Sequence, residues 1–251
     1  MRRIIIITFL FSIITTIGFT QSNHYQRIFY NAFVSGNMEQ WRQDMTVLQR
    51  QAASNDMDLQ YELLIAEYGY IAWSIGTKHK QETRLFLPGA LDRLERLYEN
   101  NPGNSEILAL KGAFLGFEMS GALYKAPFLG PRSANYIRAA VKQDSLSPYG
   151  WIQAGNAKYY MPSAFGGSKE TAIQYYETAA KNFRLMRQNN PYNWRYLNLL
   201  IQMAKVYEEL GELKKARNIF EEILFEAPVF PWVHDTLYPE FLSRNKLLLK
   251  N

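Results

Sequence analysis

The sequence predicts an all-α fold: a right-handed α-solenoid of about four helical hairpins, with a capping helix pair before them and a capping helix after. Three observations carry that prediction. Residues 194–228 divide into two amphipathic helices about a single glycine. Gly69, Gly112 and Gly155 stand at equal intervals of 43 residues inside apolar helical patterns; glycine there costs about 1 kcal/mol against alanine, so close packing is expected to require it. Pro102, Pro148, Pro191 and Pro228 punctuate successive units, because proline ends one helix and is welcome at the start of the next.

The first element is a leader. Residues 1–20 carry Arg2 and Arg3, then an apolar run over 4–17, then the small residues Gly18 and Thr20. This is the pattern of a secretory signal peptide, with Gln21 as the new N-terminus and residues 21–251 as a single domain. An uncleaved anchor is the alternative; the run is short for a span of about 20 residues. The mature protein is therefore expected to be periplasmic or secreted. Without any Cys, it has no lipid anchor, no disulfide framework and no thiolate metal site.

The capping pair comes next. Tyr25, Ile28, Phe29 and Phe33 share one face of a helix over 24–35, Gly36 and Asn37 turn the chain, and Trp41, Met45, Leu48 and Ala52 share a face over 38–54. Three hairpins follow, with Gly69, Gly112 and Gly155 at the small position of each first helix. The second helices carry Ala90, Leu94 and Leu97, then Ala134, Ile137 and Val141, then Ala172, Tyr176, Ala179 and Phe183. In these three units the turn is expected to be a long insert: 75–89, 120–131 and 160–167. The fourth hairpin turns at Gly211. A last helix over 232–249, kinked at Pro239, covers the end with Val233, Leu237, Phe241, Leu242 and Leu248.

In the fourth hairpin Ala204 and Ala216 are small where two backbones approach, Tyr207 and Phe220 fill the space beside them, and Pro228 ends the unit. These five positions, with Gly211 as the sixth, resemble the tetratricopeptide repeat (TPR), a helix–turn–helix unit of about 34 residues; Leu200 stands where that pattern has Trp. The insert Pro162–Gly167 (PSAFGG) is similar to one in the periplasmic TPR proteins associated with tripartite (TRAP) transporters, a resemblance covering roughly residues 148–228. That likeness implies a cavity for hydrophobic ligands. The chain also resembles the small secreted TPR proteins of Bacteroidetes-type bacteria.

Charge and chemistry narrow the function. The net charge of +5 includes the two leader arginines, and both signs mix along the helices. A solvated surface is the better reading than nucleic-acid binding. His24, His79 and His234 lie in three separate segments, and no nucleophile motif accompanies His234-Asp235. Gly166–Glu170 lacks the spacing of a phosphate-binding loop, and Ser168 reads more simply as a helix N-cap. No catalytic residue, metal site or cofactor is expected.

The inserts hold the candidate site. Equivalent insertions in a solenoid map to one face, and these bring Phe86, Phe128 and Phe165 together with Tyr124, Tyr159 and Tyr160. Each aromatic either rims a ligand site or folds back as a lid over its own helix pair. First helices line the concave side, by the repeat pattern with Glu106, Ala113, Phe117, Tyr149, Ile152, Asn156, Tyr159, Asn198, Ile201 and Lys205. The leading reading is a non-catalytic interaction module that holds a protein or peptide partner on that face and its loops. The alternative is a periplasmic carrier of a hydrophobic small molecule. Neither reading involves nucleic acid or lasting membrane insertion.

Overall fold

The computed structural model describes residues 24–52, 56–186, 191–246 and 248; the leader lies outside them. The described residues form helices and no strand. In chain order they are α1 (24–35), α2 (Met38–Gln51), α3 (Met57–Gly76), α4 (Lys80–Asn100), α5 (Ser105–Gly121), α6 (Ala126–Gln143), α7 (Pro148–Tyr160), α8 (Lys169–Met186), α9 (Trp194–Glu209), α10 (Leu213–Glu226) and α11 (Tyr238–Arg244). A π-helical turn, Trp232–Leu237, runs straight into α11, so Pro239 falls in the first turn of a new α segment rather than within a kinked helix.

Side chains start the helices. Asp56, Asn104 and Asn193 accept backbone N–H bonds at the starts of α3, α5 and α9, and Ser168 Oγ accepts from Thr171 N at 3.0 Å before α8. Gly211, at φ +75°, supplies the left-handed turn between α9 and α10. α3 with α4, α5 with α6, α7 with α8 and α9 with α10 pack as hairpins, and α5 also touches both α3 and α7. Leu63, Leu64, Ile65 and Ala66 are buried in succession, so α3 has no solvent face at that level. It is an inner helix, as its near-uniform apolarity demands.

The glycine spacing has two meanings. A Cβ on Gly112 would meet Ile137 of α6 at 2.5 Å, and one on Gly155 would overlap the buried Tyr176 ring of α8. Both are close approaches within a hairpin, as the equal spacing predicts. Gly69 differs: its Cβ would meet Trp194 at 2.7 Å and Trp41 at 2.8 Å. Trp194 opens α9, and its ring lies 5.1 Å from Trp41, 5.8 Å from Phe33 and 6.4 Å from Tyr68. Phe230, after α10, packs on Phe33 at 5.4 Å. The capping pair therefore meets the last hairpin as well as the first, closing the stack where a nearest-neighbour array would stay open.

Two of the three long inserts are not loops. The segment 75–89 is the end of α3, a turn at 77–79 and the first two and a half turns of α4, with Pro88 inside the helix. Pro88 and its neighbours Arg84 and Gly89 are exposed, so water serves the carbonyl freed by the missing N–H. The segment 120–131 likewise shrinks to a 3-10 turn, Leu123–Lys125, with exposed Pro131 inside α6. Only 160–167 is a loop, built on the 3-10 turn Ser163–Phe165. At the C-terminus Val233 and Phe241 are buried as expected, but Leu242 and Leu248 are exposed.

Candidate functional site

The first helices α3, α5, α7 and α9 face an inner space that is nearly full. A cavity of about 20 Å³ remains among Tyr68, Glu106, Tyr149, Ile152, Gln153, Trp194, Arg195 and Asn198, room for about one water. Arg195 forms an ion pair with Glu106 and lies 3.8 Å over the Tyr149 ring. Gln153 donates to the Tyr68 hydroxyl at 2.9 Å, Asn156 donates to Gln153 at 3.1 Å, and Tyr176 donates to Asn156 at 2.8 Å. Burial pushes the Tyr149 phenol up to about 12 against the pull of Arg195. Burial lowers Arg195, yet Glu106 and the surrounding tyrosines outweigh it and hold the guanidinium above its ordinary value. The polar heart is built largely from pairs among its own side chains.

Several predicted concave-face residues belong to this packing. Tyr149, Ile152 and Asn156 are half-buried, Phe117 stacks on Tyr68 at 5.6 Å, and Ala113 and Ile201 are buried outright. Tyr159 donates to Glu209 at 2.9 Å, with Lys205 over its ring at 5.4 Å. Burial first, and that bond second, push its phenol up to about 12. Arg195 was missed by sequence reasoning. Its signal was its place three residues before Asn198, on the same stripe of α9.

The insert aromatics separate. Phe86 folds back: its ring meets Tyr70 edge-on at 5.3 Å, and the Arg42 guanidinium sits 5.8 Å above it. Because 75–89 is mostly helix, Phe86 faces α3 rather than a loop edge. Tyr124, Phe128, Tyr160 and Phe165 are exposed, at 78%, 76%, 66% and 78%, with Leu123 beside them at 78%. They sit where first helices end and second helices begin, at the turns of the α5–α6 and α7–α8 hairpins. α3, α5 and α7 run in the same direction, with Tyr68 against Phe117 near one end and Glu106 and Tyr149 sharing the cavity wall near the other, so these turns and the α3–α4 turn lie at the same end of the helices. Cations accompany them: Lys158 donates to the Gly166 carbonyl at 2.9 Å, and Lys169 pairs with Glu209 at 3.1 Å.

Among the described residues no helix is long and apolar enough to cross a membrane, and no group of three potential metal ligands occurs. No protein-family model and no curated protein matches the chain in sequence. Among solved structures, the HusA haemophore from Porphyromonas gingivalis is similar in fold, with a TM-score of 0.60 at 16% identity, over 76% of this chain and 92% of that chain. At that identity the likeness is one of fold.

Proposed function

We propose that this chain is a non-catalytic binding protein for a planar, largely apolar small molecule of the porphyrin class, held at the turn edge of the stack. The observation that carries the reading is the row of exposed rings at adjacent turns: Tyr124 and Phe128, then Tyr160 and Phe165. Flat rings offer a flat ligand large contact area at little entropic cost. The fold shared with a protein named as a haemophore supports the ligand class, and Porphyromonas gingivalis belongs to the Bacteroidetes, the group of the secreted proteins that the sequence resembles. The filled inner face argues against a peptide threaded through the concave side. In the same reading the stack is a right-handed solenoid of TPR type, and the leader sends it to the periplasm or outside the cell.

The test is a titration with metal-free protoporphyrin IX, followed by tryptophan quenching. The triple variant Tyr124→Ser, Phe128→Ser, Phe165→Ser is expected to bind at least tenfold more weakly with an unchanged thermal midpoint, because all three side chains are mostly in water. Binding equal to wild type would place the site elsewhere. The opposite edge favours a second reading, a protein partner. Leu146, Leu185, Phe225 and Val229 are 69–79% exposed there, at the far ends of α6, α8 and α10. Serine at Leu185, Phe225 and Val229 should leave porphyrin binding intact and abolish any partner captured on that edge.

A further inference from the structure

His79 is held in a fixed orientation at the surface. It sits in the α3–α4 turn, at the same end of the helices as the Leu123–Tyr124 turn. Its ring stacks on Trp73 at 4.8 Å and 14°, and its backbone N–H donates to Ser74 O at 2.8 Å. Lys78, at φ +63°, is the one non-glycine residue with a left-handed backbone among the described residues, and it turns the chain so that the imidazole folds onto that indole. Nδ1 lies 2.7 Å from Thr77 Oγ1.

The Thr77 contact fixes the tautomer. A hydroxyl has one hydrogen, and that of Thr77 is committed to the Trp73 carbonyl at 2.7 Å. Thr77 Oγ1 can therefore only accept from His79, so in the neutral ring Nδ1 carries the proton. Nε2 is left with its lone pair, on an exposed residue, in a ring that stacking keeps from rotating. A hydrogen bond on the far nitrogen is how proteins orient and strengthen a histidine that binds metal.

The chemistry selects the kind of metal. A free zinc or similar ion needs about four ligands, and no group of three potential ligands occurs among the described residues. One oriented imidazole is enough for a metal whose four equatorial positions are already filled, as in a metalloporphyrin. Lys78 and Lys80, both exposed, flank the ring and suit the carboxylates such a macrocycle carries. Of the other described histidines, His234 is tied through Nδ1 to the neighbouring Asp235 carboxylate at 2.5 Å beyond α10, and His24 lies in α1 against Tyr25. Neither is part of the turn row.

We infer that His79 Nε2 is the axial ligand to the metal of a metalloporphyrin bound at the turn edge, with Thr77 as the residue that positions it. The inference rests on the porphyrin reading above, and the experiment separates the two. The full mature chain is titrated with ferric haemin and, in parallel, with metal-free protoporphyrin IX. Wild type should show the optical and electron-paramagnetic signature of histidine-ligated ferric haem. His79→Ala should lose that signature and weaken haemin at least tenfold, while metal-free porphyrin binding changes less than twofold. Thr77→Val, which keeps the imidazole and removes its acceptor, should weaken haemin about tenfold. His234→Ala should match wild type. If both probes bind and His79→Ala leaves the haemin spectrum unaltered, the axial role is wrong and the porphyrin site stands. If neither probe binds, both readings fall. Nitrogen-15 spectra of the ligand-free protein give an independent check: a proton on Nε2 of neutral His79 would overturn the assignment without any ligand.

Discussion

Alanine at Gly155 and at Gly116 should move stability in opposite directions, although both glycines lie inside helices. Any such change gains up to about 1 kcal/mol of helix propensity. At Gly116 nothing lies within 4 Å of the new methyl group, so the gain is expected in full and the protein becomes about 1 kcal/mol more stable. At Gly155 the methyl would overlap Cδ1 and Cε1 of Tyr176. That ring is fully buried, and its hydroxyl is held by Asn156 at 2.8 Å, so it has nowhere to retreat. Overpacking of this kind costs about 1–3 kcal/mol, and breaking the Tyr176–Asn156 bond adds about 1 kcal/mol. The net is a loss of about 1–3 kcal/mol, a separation of roughly 2–4 kcal/mol between the variants. Urea titrations with equal m-values would read the difference directly. If the two variants shift the midpoint the same way, α7 and α8 do not approach as described, and the packing account of the equal glycine spacing fails with them.

Two further outcomes concern buried charge and ionisation. Arg93 donates to Glu67 at 2.9 and 3.2 Å, and both side chains are almost wholly buried. Arg93→Met should cost about 3–5 kcal/mol at neutral pH because it strands a carboxylate. Burial already raises Glu67 above its ordinary value, against the pull of Arg93. A raised acid binds protons more readily in the folded state, so its contribution falls as pH rises from the unfolded value of 4.5 through the folded one. The variant should therefore be least destabilised at acid pH; a cost independent of pH would mean Glu67 finds another partner. Tyr149 and Tyr159 are both pushed up to about 12. Between their ordinary value of 10.0 and 12 the folded chain holds protons that the unfolded chain has lost. Stability should fall across that window, by up to about 1.4 kcal/mol per pH unit for the deep-set Tyr149 phenol and by less for Tyr159, whose hydroxyl is open to solvent. Tyr149→Phe should flatten the slope, as chemical denaturation from pH 9 to 12 would show.

The hairpins were legible because their signals are local. Gly112 and Gly155 meet residues of the very next helix, and Gly211 needs only its own backbone. Gly69 was legible as a close approach but not as to what it approaches, since its neighbour Trp194 arrives from far along the chain and no periodicity reports that. The inserts 75–89 and 120–131 failed for a different reason. Proline and glycine are loop signals only where the freed carbonyl lacks water, and Pro88 and Pro131 sit on solvent faces. The same error misplaced Phe86, whose helical register turns it onto Tyr70. The exposure of Tyr124, Phe128, Tyr160 and Phe165 was legible because turn residues between amphipathic helices have little to pack on. His79 was legible only as a lone histidine in its own segment. Its clasp by Trp73 and Thr77 could not be read, because the turn that folds the ring back depends on the left-handed Lys78.

Closure through Trp194 decides whether the inner face is open, and it can be tested without any ligand. In an open array each unit touches only its neighbours, so damage at the start of α9 would be felt by α8 and α10 and fade before α1. Here Trp194 fills the space between Trp41, Phe33 and the Cβ-less face of Gly69, and it walls the small inner cavity. Trp194→Ala removes a buried indole, at a cost of about 3–5 kcal/mol. Hydrogen exchange should then report lost protection in α1, α2 and α3 together with α9, since all four lean on one ring. Loss confined to α8–α10 would mean the stack is open, its inner face accessible, and the concave side again the natural place for a partner. Joint loss means the interior is occupied by the protein's own aromatic residues, which leaves the exposed rings at the turns as the surface open to the proposed ligand.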